Sequence, residues 1–102
     1  MKNVVPAIFP AVVQAVAGED YTVFAYMANG TIKQYDAKPL IEKGGIFEKL
    51  RDKDFFAKRL TVLNDTVAWD ISGDHNPEEC IDIDPFTIES CIDVTEQFQA
   101  IS

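Results

Sequence analysis

Asn29-Gly30 is the dipeptide that most restricts this chain. Both residues accept the left-handed backbone that a type I′ turn needs at its two central positions, and that turn closes a hairpin whose strands keep their natural twist. The flanking runs, Tyr21–Ala28 and Thr31–Asp36, hold Tyr, Thr, Val, Phe and Ile, which suit a pleated surface. A two-residue connection fixes the register. Met27 then faces Ile32, Tyr26 faces Lys33 and Phe24 faces Tyr35. Met27 and Ile32 project from one face, Phe24 and Tyr35 from the other. Apolar residues on both faces imply that part of each is covered, or that one presents an aromatic patch.

Other segments extend the pattern. Ala11–Ala17 is an apolar run ended by Gly18-Glu19-Asp20 and reads as a strand followed by a turn. Leu60–Leu63 and Thr66–Ile71 alternate around Asn64-Asp65, a second hairpin in which Val62 faces Val67 and Leu60 faces Trp69. Trp69, the only tryptophan, is assigned to the core. Between the hairpins lie helical signals. Asp36 can cap a short helix with Pro39 in its first turn, Leu40 and Ile41 buried, and Gly44-Gly45 at its end. Ile46–Leu50 supplies one apolar-faced turn. Asp52 can cap a further helix through Arg59, with Phe55, Phe56 and Leu60 inward and Lys53, Lys58 and Arg59 outward. Near the end, Ile81–Asp84 alternates as a short strand, and Asp84-Pro85 opens a helical turn through Ser90. The order of elements predicts an α+β fold: a small antiparallel sheet built of hairpins, packed with two or three short helices.

The length of 102 residues suits a single domain spanning 1–102, with 1–10 as an arm or extra strand and 94–102 as a tail. No apolar run approaches a membrane span, and Met1–Pro10, broken by Pro6 and Pro10, is a poor export signal. A soluble cytoplasmic protein is expected. Cys80 and Cys91 are the only cysteines; they form no C-x-x-C pair and are read as thiols, not as a disulfide or zinc site.

Charge is distributed unevenly. Up to Arg59 the chain has nine Lys and Arg against seven Asp and Glu; after it there are ten acids and no base, so the halves carry +2 and −10. A net charge of −8 opposes direct nucleic-acid binding, which needs a basic stripe. A one-signed region is either a solvated face or a docking surface for a cationic protein partner, since it speeds encounter and rejects wrong partners. The residues assigned to such a surface are Asp70, Asp74, Glu78, Glu79, Asp82 and Asp84. Lys49, Arg51, Lys53, Lys58 and Arg59 are interleaved with Glu48, Asp52 and Asp54, which predicts a mixed, salt-bridged surface.

Catalytic and cofactor signals are absent from the sequence. The Asp70–Asp84 segment is rich in oxygen ligands but breaks the EF-hand pattern: Gly73 comes too early and Ile81 stands where the closing Glu belongs. His75, the only histidine, has no spacing that demands a Cys80, Cys91 or serine nucleophile. Asp82 and Asp84 share one face of an extended segment, an arrangement open to acid–base work, but Asp84 before Pro85 is better explained as a helix cap. Gly44-Gly45 opens no phosphate-binding loop. The expectation is a non-catalytic interaction or regulatory module without cofactor, its oligomeric state open. The alternatives are a metal- or small-ligand-binding domain through residues 70–84, and an undetected enzyme.

Several short motifs in order carry a family resemblance: Asn29-Gly30, Tyr35-Asp36, Pro39-Leu40, Gly45-Ile46-Phe47, Leu50-Arg51-Asp52, Phe55-Phe56, Val67-Ala68-Trp69 and Ile83-Asp84-Pro85. Across residues 11 to 90 the chain resembles the small bacterial family called domain of unknown function 2442. The resemblance implies hairpins packed with short helices and no known reaction. Some members of that family are fused to a helix-turn-helix domain, and the chain resembles their N-terminal part. Others are encoded beside small proteins of toxin–antitoxin type. With the chain read to Ser102, no DNA-binding domain is expected to be attached. Members commonly follow the tryptophan with proline and a short polar turn, whereas here Asp70 and an acidic stretch follow Trp69.

Overall fold

The computed structural model describes residues 11–73 and 80–99. The arm assigned to 1–10, the middle of the 70–84 acidic loop (74–79, including Asp74, His75, Glu78 and Glu79) and residues 100–102 lie outside them.

The described chain forms two small antiparallel sheets. In the first, β1 (Val12–Ala17), β2 (Thr22–Met27), β3 (Ile32–Asp36) and β7 (Ile92–Asp93) lie in that order. In the second the order is β4 (Leu60–Leu63), β5 (Thr66–Asp70) and β6 (Cys80–Asp82). Between the two hairpins run α1 (Lys38–Ile41), a 3-10 helix (Gly45–Arg51) and α2 (Lys53–Arg59); α3 (Pro85–Glu89) and α4 (Thr95–Gln99) follow β6 and β7. The architecture is α+β, as expected. The hairpins divide between two sheets, and the helical segments among the described residues outnumber the two or three predicted.

One apolar core joins the sheets. Val23, Ala25 and Met27 of β2 alternate inward and meet Leu40, Ile41, Leu50, Phe56, Val67, Trp69, Ile81, Ile83 and Ile88. Trp69 is fully buried, and its indole Nε1–H donates to the Phe56 carbonyl at 3.1 Å. That bond satisfies the one polar group a buried tryptophan carries. The Val12 N–H donates to Asp65 at the tip of the β4–β5 turn, at 2.8 Å, stitching the edge of one sheet to the other.

The two hairpins close differently. At Asn64-Asp65 both residues have positive φ, 52° and 65°, a two-residue turn, and the pairs Val62–Val67 and Leu60–Trp69 stand as predicted. At Asn29-Gly30 only Gly30 has positive φ (93°). Gly30 N–H donates to Met27 at 3.0 Å and Met27 N–H to Thr31 at 2.8 Å, so Ala28 enters the turn and Gly30 forms a bulge. The predicted register is therefore wrong by one residue: Tyr26 pairs with Ile32, Phe24 with Gln34 and Val23 with Tyr35. A one-residue slip moves side chains to the opposite face. Tyr35 now joins Met27 on the core side, while Ile32 joins Phe24 and Tyr26 outside. Asn29 helps hold this turn, its Oδ1 accepting from the N–H and the hydroxyl of Thr31 at 3.0 and 2.7 Å.

The outer face is partly covered by a segment read as a tail. Val94 is buried, and its N–H donates to Ile32 at 2.8 Å. Phe98 of α4 meets the rings of Phe24 and Tyr26 edge-on, at 5.2 and 6.0 Å. Residues 94–99 thus belong to the packed structure.

The helix boundaries follow their caps. Asp52 accepts from the N–H groups of Asp54 and Phe55, and Asp84 from Phe86, each at a helix start. At α1 the N-cap is Ala37, not Asp36, although Asp36 accepts from the Lys38 N–H at 2.9 Å.

Candidate functional site

Gly44 and Gly45 have positive φ, 77° and 62°, which turns the chain sharply between α1 and the 3-10 helix. That turn sets Ile46 and Phe47 beside Leu40 and Tyr35. Opposite them run residues 80–84 and Thr87. The two walls enclose a groove of about 490 Å³. Its lining is mixed: Tyr35, Leu40, Ile46, Phe47, Ile81 and Ile83 are apolar or aromatic, and Lys43, Asp82 and Asp84 are charged. Ile46 is 47% exposed, so the apolar wall faces solvent.

Asp82 and Asp84 are exposed, and Ile81 and Ile83 between and beside them are buried. The alternation is that of an extended strand, as predicted for this pair. Asp84 is fixed by its capping role, its Oδ1 2.9 Å from the Phe86 nitrogen. Lys43 holds the far wall, its Nζ 5.9 Å from the centre of the Phe47 ring. Burial pushes the Tyr35 phenol above its ordinary pKa, with smaller contributions from Cys91 and Asp36. It is therefore a neutral hydroxyl at physiological pH.

The other residues assigned from sequence are placed differently. Asp70 is 5% exposed, within β5, and accepts from the Gly73 N–H at 3.0 Å. The Cys80 Sγ lies 3.9 Å from its Oδ1. Asp70 is thus an interior residue of the strand, not part of a surface. Asp74, Glu78 and Glu79 lie outside the described residues. Among the described residues no group of three His, Cys, Asp or Glu side chains could hold a metal ion.

Cys91 is half-buried, and its thiol donates to the Thr87 carbonyl at 3.2 Å. Burial raises its pKa, with Lys33 only partly offsetting this. A thiol held protonated is a poor nucleophile.

The basic cluster differs from its expectation as well. Among the described residues, the ion pairs are those of Lys38 with Asp20 at 2.8 Å and with Asp36 at 4.0 Å. Lys49, Arg51 and Lys58 point to solvent, while Lys53 and Arg59 sit over the rings of Tyr21 and Phe55, at 5.7 and 5.5 Å. Arg59 is half-buried, not outward. A second cleft, of about 410 Å³, lies between the β1–β2 turn and α2. Asp20 and Tyr21 there have positive φ, 55° and 62°, and the Tyr21 hydroxyl donates to the Arg51 carbonyl. This cleft gathers none of the residues assigned to a site from sequence.

The groove was not legible in the chain order: its walls come from residues 35–47 and 80–87. Gly44-Gly45 was the available signal, since a double glycine marks an abrupt change of direction.

No helix among the described residues is long and apolar enough to cross a membrane. A family model for a protein of unknown function (DUF2442) matches residues 12–91. No curated protein and no solved structure matches the chain.

Proposed function

The chain belongs to the DUF2442 family of proteins of unknown function, and from the geometry of its groove we propose that it is a non-catalytic interaction module that docks a basic protein partner in the cytoplasm. The observation that carries this reading is the exposure of Asp82 and Asp84 along a groove whose opposite wall shows Ile46 and Phe47 to solvent. Apolar surface supplies binding free energy, and fixed charge beside it selects the sign of the partner and speeds encounter. The acidic half of the chain reinforces the local pair, with ten acids and no base after Arg59.

The test is recovery of the tagged protein from lysate of its source at low salt. The partner is expected to be basic and to leave as salt rises, because screening shortens the reach of charge to about 8 Å near physiological ionic strength. A variant carrying Asp82→Lys and Asp84→Asn should lose it; asparagine at 84 keeps a capping side chain. A partner held equally by both proteins, or recovery of the bare protein alone, would contradict the reading.

A further inference from the structure

The groove runs along the edge of β6 that has no neighbouring strand among the described residues. Every residue from Cys80 to Asp84 lines it, whereas a groove lying on one face of a strand would touch alternate residues. The parity of the β5–β6 ladder shows what that edge offers. Ile83 N–H donates to Val67 at 2.9 Å. Ile83 and Val67 are therefore a hydrogen-bonded pair, and in an antiparallel ladder such pairs alternate with non-bonded ones. Ala68–Asp82 is the next pair along and is non-bonded. Hence the N–H and C=O of Asp82 point away from β5, toward the groove. β6 ends its sheet, with no strand beyond it among the described residues.

Resting on the interaction reading above, we propose that the partner enters as an extended basic segment that adds a strand alongside β6. An extended segment pairs its backbone with Asp82 and places alternate side chains on opposite faces. Residues 81–84 span about 13 Å at roughly 3.3 Å per residue, room for one short strand. Apolar side chains on one face of the segment reach Ile46, Phe47 and Leu40. Lys or Arg side chains reach the exposed carboxylates of Asp82 and Asp84. The occupant is chosen by charge complementarity: the exposed charged groups on the strand side, Asp82 and Asp84, are both acidic, and Lys43 on the far wall disfavours further cations there. An acidic segment would meet two carboxylates at the edge it must pair with.

The experiment uses the full chain, labelled for amide hydrogen exchange, and a panel of short peptides alternating Lys or Arg with Val. Each peptide is paired with a version N-methylated at alternate residues, which keeps charge and removes the hydrogen bonds of one edge. The expected result is slowing of exchange at the Asp82 amide by about tenfold or more, with binding weakened at least about tenfold by N-methylation and by Asp82→Lys. Equal binding of the methylated peptides, or binding without protection of Asp82, overturns strand addition while leaving an acidic docking surface standing. No binding by any member of the panel overturns strand addition also. If wild type and the Asp82→Lys, Asp84→Asn variant then recover the same proteins from lysate, the interaction reading falls with it.

Discussion

The ring of Phe98 stands edge-on to that of Phe24, their centres 5.2 Å apart and their planes at 71°. Through this contact α4 covers part of the outer face of the first sheet. Phe98→Ala should therefore destabilise the whole domain. The ring is half-buried, and aromatic pairing adds about 0.5–1.5 kcal/mol to its burial. A loss of about 1–3 kcal/mol is expected. Thermal melting checks it, since about 1 kcal/mol lowers Tm by roughly 4–8 °C in a domain of this size. An unchanged Tm would mean that α4 does not hold the sheet.

Trp69→Phe removes the indole N–H that meets the Phe56 carbonyl and leaves a gap in the centre of the core. An orphaned buried acceptor costs about 1–3 kcal/mol, and the cavity adds to it. Chemical denaturation followed by circular dichroism should show a loss of about 2–4 kcal/mol. The same change in a surface residue would fall within about 0.5 kcal/mol.

Opposite signs are expected at the two hairpin turns. Asp65 has φ of 65°, where glycine avoids the left-handed penalty, so Asp65→Gly should stabilise by a few tenths to about 1 kcal/mol. Gly30 has φ of 93° and open space around an added Cβ. Gly30→Ala should destabilise by about 1–2 kcal/mol from backbone strain alone. Paired denaturant titrations read both signs.

Asp93 gives a pH dependence. Hydrogen bonds from the Thr95 side chain, then from its backbone N–H, hold its pKa below the usual 3.8. A lowered folded pKa means stability that is fully present above 3.8 and lost as pH falls through the folded value. Docking of α4 should be steady at neutral pH and weaken only in stronger acid. A pH titration of the Thr95 amide by NMR should show a midpoint below 3.8, absent in Asp93→Asn. A midpoint at or above that value would contradict the assignment.

Local signals were enough for much of this fold. Asp52 and Asp84 cap the helices they precede, Trp69 fills the core, and Asn64-Asp65 sets its hairpin in the predicted register. Asn29-Gly30 misled because two turns suit the same residues, and both sheet faces carry apolar side chains. What decides between them is distant: the inward row Val23, Ala25 and Met27 packs on the core, and Val94 and Phe98 cover the other side. The sequence of α4 has Phe98 as its one apolar side chain, so no periodicity marked it. Asp82 and Asp84 were legible as a shared face. Asp70 was not legible as buried, because its burial depends on the partner strand β6 and on Gly73.

The most direct measurement of the proposed role is mapping of the recovered partner on the isotope-labelled protein by amide chemical shifts. Docking in the groove predicts that the largest changes fall at Ile46, Phe47, Asp82 and Asp84, and that they fade as salt rises. Changes confined instead to the exposed valines of β1, Val13 and Val16, or to the cleft of Tyr21 and Lys53, would contradict it.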